Sequence, residues 1–370
     1  MAKLGAGVRK RADGNLEKRF TVKGKRYSVY GKTQKEISTK EQDIRKKIDA
    51  GIYTDNRNIT LDKYFDEWIA TKRGKIKSNS IRIYSCYYNK HISPLMGSRR
   101  VQKIERREVL HLQKTVAEEL SITAANMTIR VLKVILNDAM ADEIIDRNPA
   151  NGVKSLTEKE KATDTYHRAL TEDEQAAFMQ EIKSDFLYEY IALLLCTGMR
   201  SGEAAALSWS DIDYKNNVIH VTKTLTFSED GELITGDTTK TIAGKRDIPI
   251  TATIKDVLSK QRAKMGNIVS INKNTKVFMA VEGGLIYNGT VNRAIAGALQ
   301  RLEAAGTHIE HFTAHALRDT FATRYIEQGG NPQTLKTILG HSSLAMTMDL
   351  YAHVLPNTKQ QEMDSIHIAI

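Results

Sequence analysis

TGMRSGEAAALSWSDID, residues 197–213, follows directly on the apolar run IALLLC at 191–196. The run is far too short to cross a bilayer and fits a buried helix. Spacing predicts helices over about 172–183 and 186–197, the first opened by Thr171-Glu172-Asp173-Glu174 as a capping box. Arg200 and Glu203 interrupt the apolar pattern one helical turn apart. Strands are expected over about 217–226 and 245–250, and further helices from about 290 to the end. From residue 168 onward this describes a mainly helical domain with a small β-sheet or hairpin.

Downstream, more polar residues stand out. Lys240 sits in TTKTIAGKRDIPI, at the tip of an expected β-hairpin. His315 and Arg318 in HALRDTFATR share one helical face. LGHSSLAMTMDLYAHV, residues 339–354, places His341 at an expected helix start, with Ser342 or Ser343 as cap. Thr347 and Tyr351 are i, i+4 on the helix that follows. Arginine forks match phosphate oxygens. Two of them with a histidine can neutralise charge as it builds on a phosphodiester, the task that metal ions perform in two-metal nucleases. Tyrosine is a competent covalent nucleophile, and a lysine can protonate a leaving alkoxide. The set suffices for phosphoryl transfer to tyrosine with no cofactor and no metal.

Blander readings compete. A lone tyrosine on an apolar helix is usually core. His308, His311 and His315 have tolerable metal-ligand spacing, but no cysteine or acidic cluster accompanies them. HALRD echoes a kinase catalytic loop, yet no Gly-rich loop, strand lysine or DFG is present. Several such residues recurring in a meaningful order favour chemistry.

Upstream, residues 8–31 alternate like short strands broken at Asp13-Gly14 and Lys23-Gly24. Thr33 with Glu36 then opens a helix to about Asp49 as a capping box. A three-stranded sheet backed by one helix results. It carries Arg9, Arg11, Lys18, Arg19, Lys25 and Arg26, interleaved with Phe20, Tyr27 and Tyr30. Such a face can enter a DNA groove, although some aromatics must be core. Residues 59–148 have helical periodicity throughout, the last helix ending at Asn148-Pro149. Lys72, Arg73, Lys75, Lys77, Arg82, Arg130 and Lys133 are positioned to track phosphates there. Residues 153–167 form a polar linker.

The 370-residue chain carries a net charge of +11. Residues 1–56 hold 15 Lys+Arg against 7 Asp+Glu, a surplus of +8. Charge so concentrated points to a polyanion, nucleic acid first, although a solvated surface would look similar. The N-terminus lacks an apolar signal core. Cys86 and Cys196 fit free thiols in a reducing cytoplasm.

Taken in order, TGMRSGEAAALSWSDID, the hairpin lysine, HALRDTFATR and LGHSSLAMTMDLYAHV resemble the tyrosine recombinase, or phage-type integrase, family across about 150 residues. The likeness extends over the whole chain and is greatest to integrases of Gram-positive conjugative transposons. It implies a multidomain α+β protein. Residues 1–56 would form an arm-type DNA-binding domain, 57–152 a helical core-binding domain, 168–356 the catalytic domain and 357–370 a tail helix for subunit contact.

The resemblance implies that Tyr351 attacks the scissile phosphate to give a 3′-phosphotyrosine and a 5′-hydroxyl. Arg200 and Arg318 would clamp the phosphate. Lys240 would be the general acid, with Lys245 the other lysine whose register brings it near. His315 would serve as base or phosphate ligand, His341 would bond a non-bridging oxygen, and Glu203 would support the arginines. Asp319 stands where the family usually has a second histidine. The expected product is integration and excision of a mobile element by a tetramer on two DNA duplexes carrying core and arm sites. An excisionase or DNA-bending protein would assist, in the cytoplasm at the nucleoid, with no membrane partner. A type IB topoisomerase, or a non-catalytic DNA-binding regulator of the same fold, are the alternatives.

Overall fold

A computed structural model describes residues 7–10, 14–22, 24–49, 59–157, 168–237, 244–266, 272–280, 283–341, 343–345 and 347–348. The chain divides into two units: Met1–Thr71 with Cys86–Leu156, and Lys72–Ser85 with Thr157–Ile370. No helix among the described residues is long and apolar enough to cross a membrane.

In the first unit, β1 (Val8–Lys10), β2 (Leu16–Val22) and β3 (Lys25–Gly31) form an antiparallel sheet in that order, and α1 (Gln34–Asp49) packs on one face. Strand alternation sorts the side chains. Phe20, Tyr27 and Val29 face the helix and join Ile37 in a buried cluster. The opposite face receives Arg9, Glu17, Arg19, Arg26 and Tyr30 by register. Glu17 is 2% exposed because Arg9 and Arg19 close over it as ion pairs. Lys18, expected on the reading face, turns instead to the helix and pairs with Glu41 at 2.7 Å. Lys25 opens β3, and Arg11 lies outside the described residues. The cap of α1 also differs from a reciprocal box. Thr33 Oγ1 accepts from the Glu36 N–H, but the Glu36 carboxylate accepts from Lys32 N.

The other helices of the first unit are α2 (Leu61–Lys72), α4 (Ser93–Met96), α5 (Arg106–Glu119) and α6 (Ile122–Ala141), with a π-helical turn over Tyr88–Ile92, while α3 (Ser78–Tyr87) lies almost wholly in the second unit. Apolar residues at helical spacing, among them Leu61, Leu112, Leu132, Ile135 and Leu136, are fully buried. Phe65 stacks on Tyr88 with centroids 3.6 Å apart. The polar tip of Tyr88 is satisfied by donation to Asp62 at 2.9 Å, as a buried tyrosine requires. Helix α6 stops earlier than its apolar pattern predicts. Glu143 adopts φ 57°, and Ile144 and Ile145 fold back into the core. The first residues of the expected linker are anchored: Gln113 donates to Lys154 O and Asn126 brackets Leu156 with two hydrogen bonds.

The second unit contains α7 (Glu172–Glu181), α8 (Tyr188–Thr197), α9 (Ser201–Ala206), β4 (Ile212–Asp213), β5 (Val218–Val221), β6 (Lys223–Phe227), β7 (Leu233–Asp237) and β8 (Arg246–Pro249). Four helices follow: α10 (Ala252–Gly266), α11 (Asn288–Ala304), α12 (Ala314–Glu327) and α13 (Pro332–Leu339). β4, β5 and β8 form one antiparallel sheet and β6–β7 a separate hairpin. The core centres on α8, where Tyr190 meets Phe278 edge-on, while Phe178 meets Phe312 likewise. The capping box at Thr171 and Glu174 forms as expected. Helix α10 was not foreseen, because it buries only a narrow stripe including Ile254, Val257 and Leu258. The β6–β7 turn falls before Lys240, which lies outside the described residues.

Candidate active site

Helix α8 ends at Gly198 in the left-handed region, φ 63°. A Cβ there would sit 2.4 Å from the Phe321 ring and 2.7 Å from Leu339, so glycine lets α12 and α13 close onto this turn. Arg200 then caps α9. Its N–H donates to Glu203 Oε2 and its Nη1 to Oε1, both at 2.9 Å. At Gly202 a Cβ would lie 2.8 Å from Thr224 Oγ1, so α9 can lie flat against β6.

Glu203 is a hub. Arg246, at the inward start of β8, grips it through Nη2 at 2.7 Å and Nη1 at 3.2 Å, and both side chains are 2% exposed. The Arg246 Nε donates to Ile338 O and its Nη1 also to Gly244 O. Burial would raise the Glu203 carboxyl, but the bonds and charge of Arg246, then of Arg200, hold it below the ordinary carboxylate range. Arg318 donates to Gly198 O and to Leu339 O, each at 2.7 Å. One buried guanidinium thus ties the turn before Arg200 to the turn before His341. Burial, then the positive charge of Arg200, pushes Arg318 down to about 9, so it stays charged at neutral pH. Arg200 and Arg246 share the Glu203 carboxylate, while Arg318 bonds two carbonyls and feels the charges of Glu203 and Asp319. Three guanidinium groups against two carboxylates leave an excess that favours an anion. Arg200, 45% exposed on its side chain, is the group presented to solvent.

His315 lies one turn before Arg318 on α12 and is 63% exposed on its side chain. Its Nε2 is 3.9 Å from Asp319, which is buried where a second histidine was expected. His341 follows the end of α13, and its Nδ1 lies 2.9 Å from Oγ1 of fully buried Thr347. His308 pairs with Glu303 instead, and no three His, Cys, Asp or Glu side chains converge as a metal site would need among the described residues. Tyr351 and Lys240 lie outside the described residues, as does the 357–370 tail. Sequence reasoning passed over Arg246 and gave Thr347 no role. The signal for Arg246 was its alternation with Ile248, which puts an arginine on the buried face of a strand.

Of the basic residues expected to track phosphates on the helical segment, Lys75, Lys77 and Arg130 are exposed, while Lys72, Arg82 and Lys133 are half-buried. Within the second unit Arg82 lies over the Phe227 ring at 4.5 Å and Arg73 pairs with Glu229 at 3.0 Å.

The phage integrase family profile matches residues 168–358, more than half the chain, and a phage integrase N-terminal SAM-like domain matches 60–118. The ICEBs1 integrase of Bacillus subtilis is 26% identical over 340 residues, covering 90% of this chain and 89% of the relative. The transposase of transposon Tn916 from Enterococcus faecalis is 25% identical over 349 residues, covering 90% and 84%. Among solved structures, the Tn1549 transposon integrase in complex with a circular intermediate DNA aligns with TM-score 0.68 at 23% identity, over 83% of this chain and 99% of that one. A lambda integrase tetramer bound to a Holliday junction aligns with TM-score 0.60 at 21% identity, over 95% and 96%. With the arginine, HALR and LGH segments drawn together as described, the chain belongs to the phage integrase family, tyrosine recombinases that cleave and rejoin DNA strands.

Proposed function

We propose that this recombinase integrates and excises a mobile element, with Tyr351 as nucleophile. The Tyr351 oxygen attacks the scissile phosphorus, the bond to the 5′ oxygen breaks, and a 3′-phosphotyrosine forms. Lys240 gives the departing oxygen its proton, and His315 takes the tyrosine proton or bonds the phosphate. Arg200, Arg318 and His341 hold the non-bridging oxygens. A 5′-hydroxyl from a second duplex then reverses the step and exchanges the strand. The supporting observation is Arg318, whose two bonds join the turn just before Arg200 to the turn just before His341. Relatives named as the ICEBs1 integrase and as a transposon transposase favour the mobile-element role. Residues 1–56 would bind arm DNA and 57–152 core DNA. The DNA-bound lambda integrase tetramer supports a tetrameric working form. An excisionase or DNA-bending accessory protein belongs to the same proposal.

Covalent trapping on a suicide duplex tests it. Wild-type chain should become attached to DNA in the presence of EDTA, and Tyr351→Phe should bind the duplex without attachment. An adduct surviving in the Phe variant would remove Tyr351 as nucleophile, and loss in EDTA restored by magnesium or zinc would remove the metal-free reading.

A further inference from the structure

The Thr347 hydroxyl is 0% exposed, and among the described residues its hydrogen-bond partner is the Nδ1 of His341 at 2.9 Å. Three fully buried threonines, Thr128, Thr197 and Thr320, return their proton to the carbonyl four residues back. Thr347 does not take that bond. A buried hydroxyl proton left unmade is costly, so Thr347 donates to the ring. Donation requires a bare Nδ1 lone pair, which leaves the ring proton on Nε2. The opposite arrangement, Nδ1–H donating to Thr347, would strand the hydroxyl proton in a dry site.

We propose that Thr347 is a positioning residue that sets His341 as its Nε2–H tautomer, so that Nε2 donates to a non-bridging oxygen of the scissile phosphate. The inference rests on the phosphate role proposed for His341. It adds an interlock. Thr347 stands four residues before Tyr351 in the sequence, so the segment leading to the nucleophile must be seated for His341 to present the correct nitrogen.

Two measurements on the full chain test this. Nitrogen NMR of histidine-labelled protein, with the His341 signals assigned by their loss in His341→Ala, should show a bare Nδ1 and a protonated Nε2. A ring protonated on Nδ1 overturns the proposal. Single-turnover cleavage of a suicide duplex at saturating DNA is the second. Thr347→Val keeps the shape and should slow cleavage roughly 10–100-fold, the range seen for groups that orient metal-bound histidines. DNA affinity should be unchanged, and Thr347→Ser should restore most of the rate. In a His341→Ala background, Thr347→Val should add no further loss. Losses that multiply would mean that Thr347 acts elsewhere and would overturn the proposal. Full-rate cleavage by His341→Ala alone would remove the underlying phosphate role, and the NMR result separates that failure from a wrong tautomer.

Discussion

Arg246 and Glu203 carry the heaviest local burden. Their fork is fully buried, and breaking such a pair strands a charge. Arg246→Met should therefore cost roughly 3–5 kcal/mol, measured by urea denaturation. Because Arg246 also holds Ile338 O, suicide-substrate cleavage should fall further than DNA affinity does. Equal losses in both would argue that Arg246 serves stability alone. Acid adds a second check on Glu203. A carboxyl lowered in the fold contributes stability above its unfolded value and loses it as pH falls through the folded value. Stability should hold down to about pH 5 and decline below, and Glu203→Gln should flatten that decline. An unaltered acid limb in the Gln variant would place the titration elsewhere.

At the scale of elements, the N-terminal sheet makes a sharper claim than its composition did. Alternation puts Arg9, Arg19 and Arg26 on the open face and Lys18 under the helix. Arg26→Ala should weaken binding to an arm-site duplex and lower the slope of log affinity against log salt by about 1. Lys18→Ala should leave that slope alone; equal changes would refute the facial assignment. The α8–α9 junction is equally specific. Gly198→Ala forces a left-handed φ and a clash with Phe321, and should destabilise by roughly 1–3 kcal/mol in thermal melts. The narrow buried stripe of α10 explains why sequence periodicity missed that helix, and the fold-back at Glu143 explains why α6 ends early.

At the scale of the whole molecule, the proposal gives DNA binding to the charge surplus in residues 1–56 and assembly to the tail, where Met363, Ile366 and Ile370 fall at helical spacing. Deleting residues 357–370 should weaken formation of multi-subunit complexes on paired sites, seen in native gels, while leaving single-site binding intact. Unimpaired assembly would count against a docking tail. The family membership sets the class of reaction, and the arm and core units proposed here would set where on DNA it happens.

The sequence by itself determined the order of motifs, the three-stranded sheet with its helix, helical segments other than α10 and the identity of the candidate groups at Arg200, His315, Arg318 and His341. Each of these is a local pattern, carried by periodicity, caps or contiguous residue types. Only the tertiary structure decided how those groups are held. The bonds of Arg318 to Gly198 and Leu339 and of Arg246 to Glu203 and Ile338 span 21 to 120 residues, and nothing in local spacing encodes them. The burial of Thr347 against His341 likewise depends on a side-chain packing contact between two short segments, which a linear pattern does not contain.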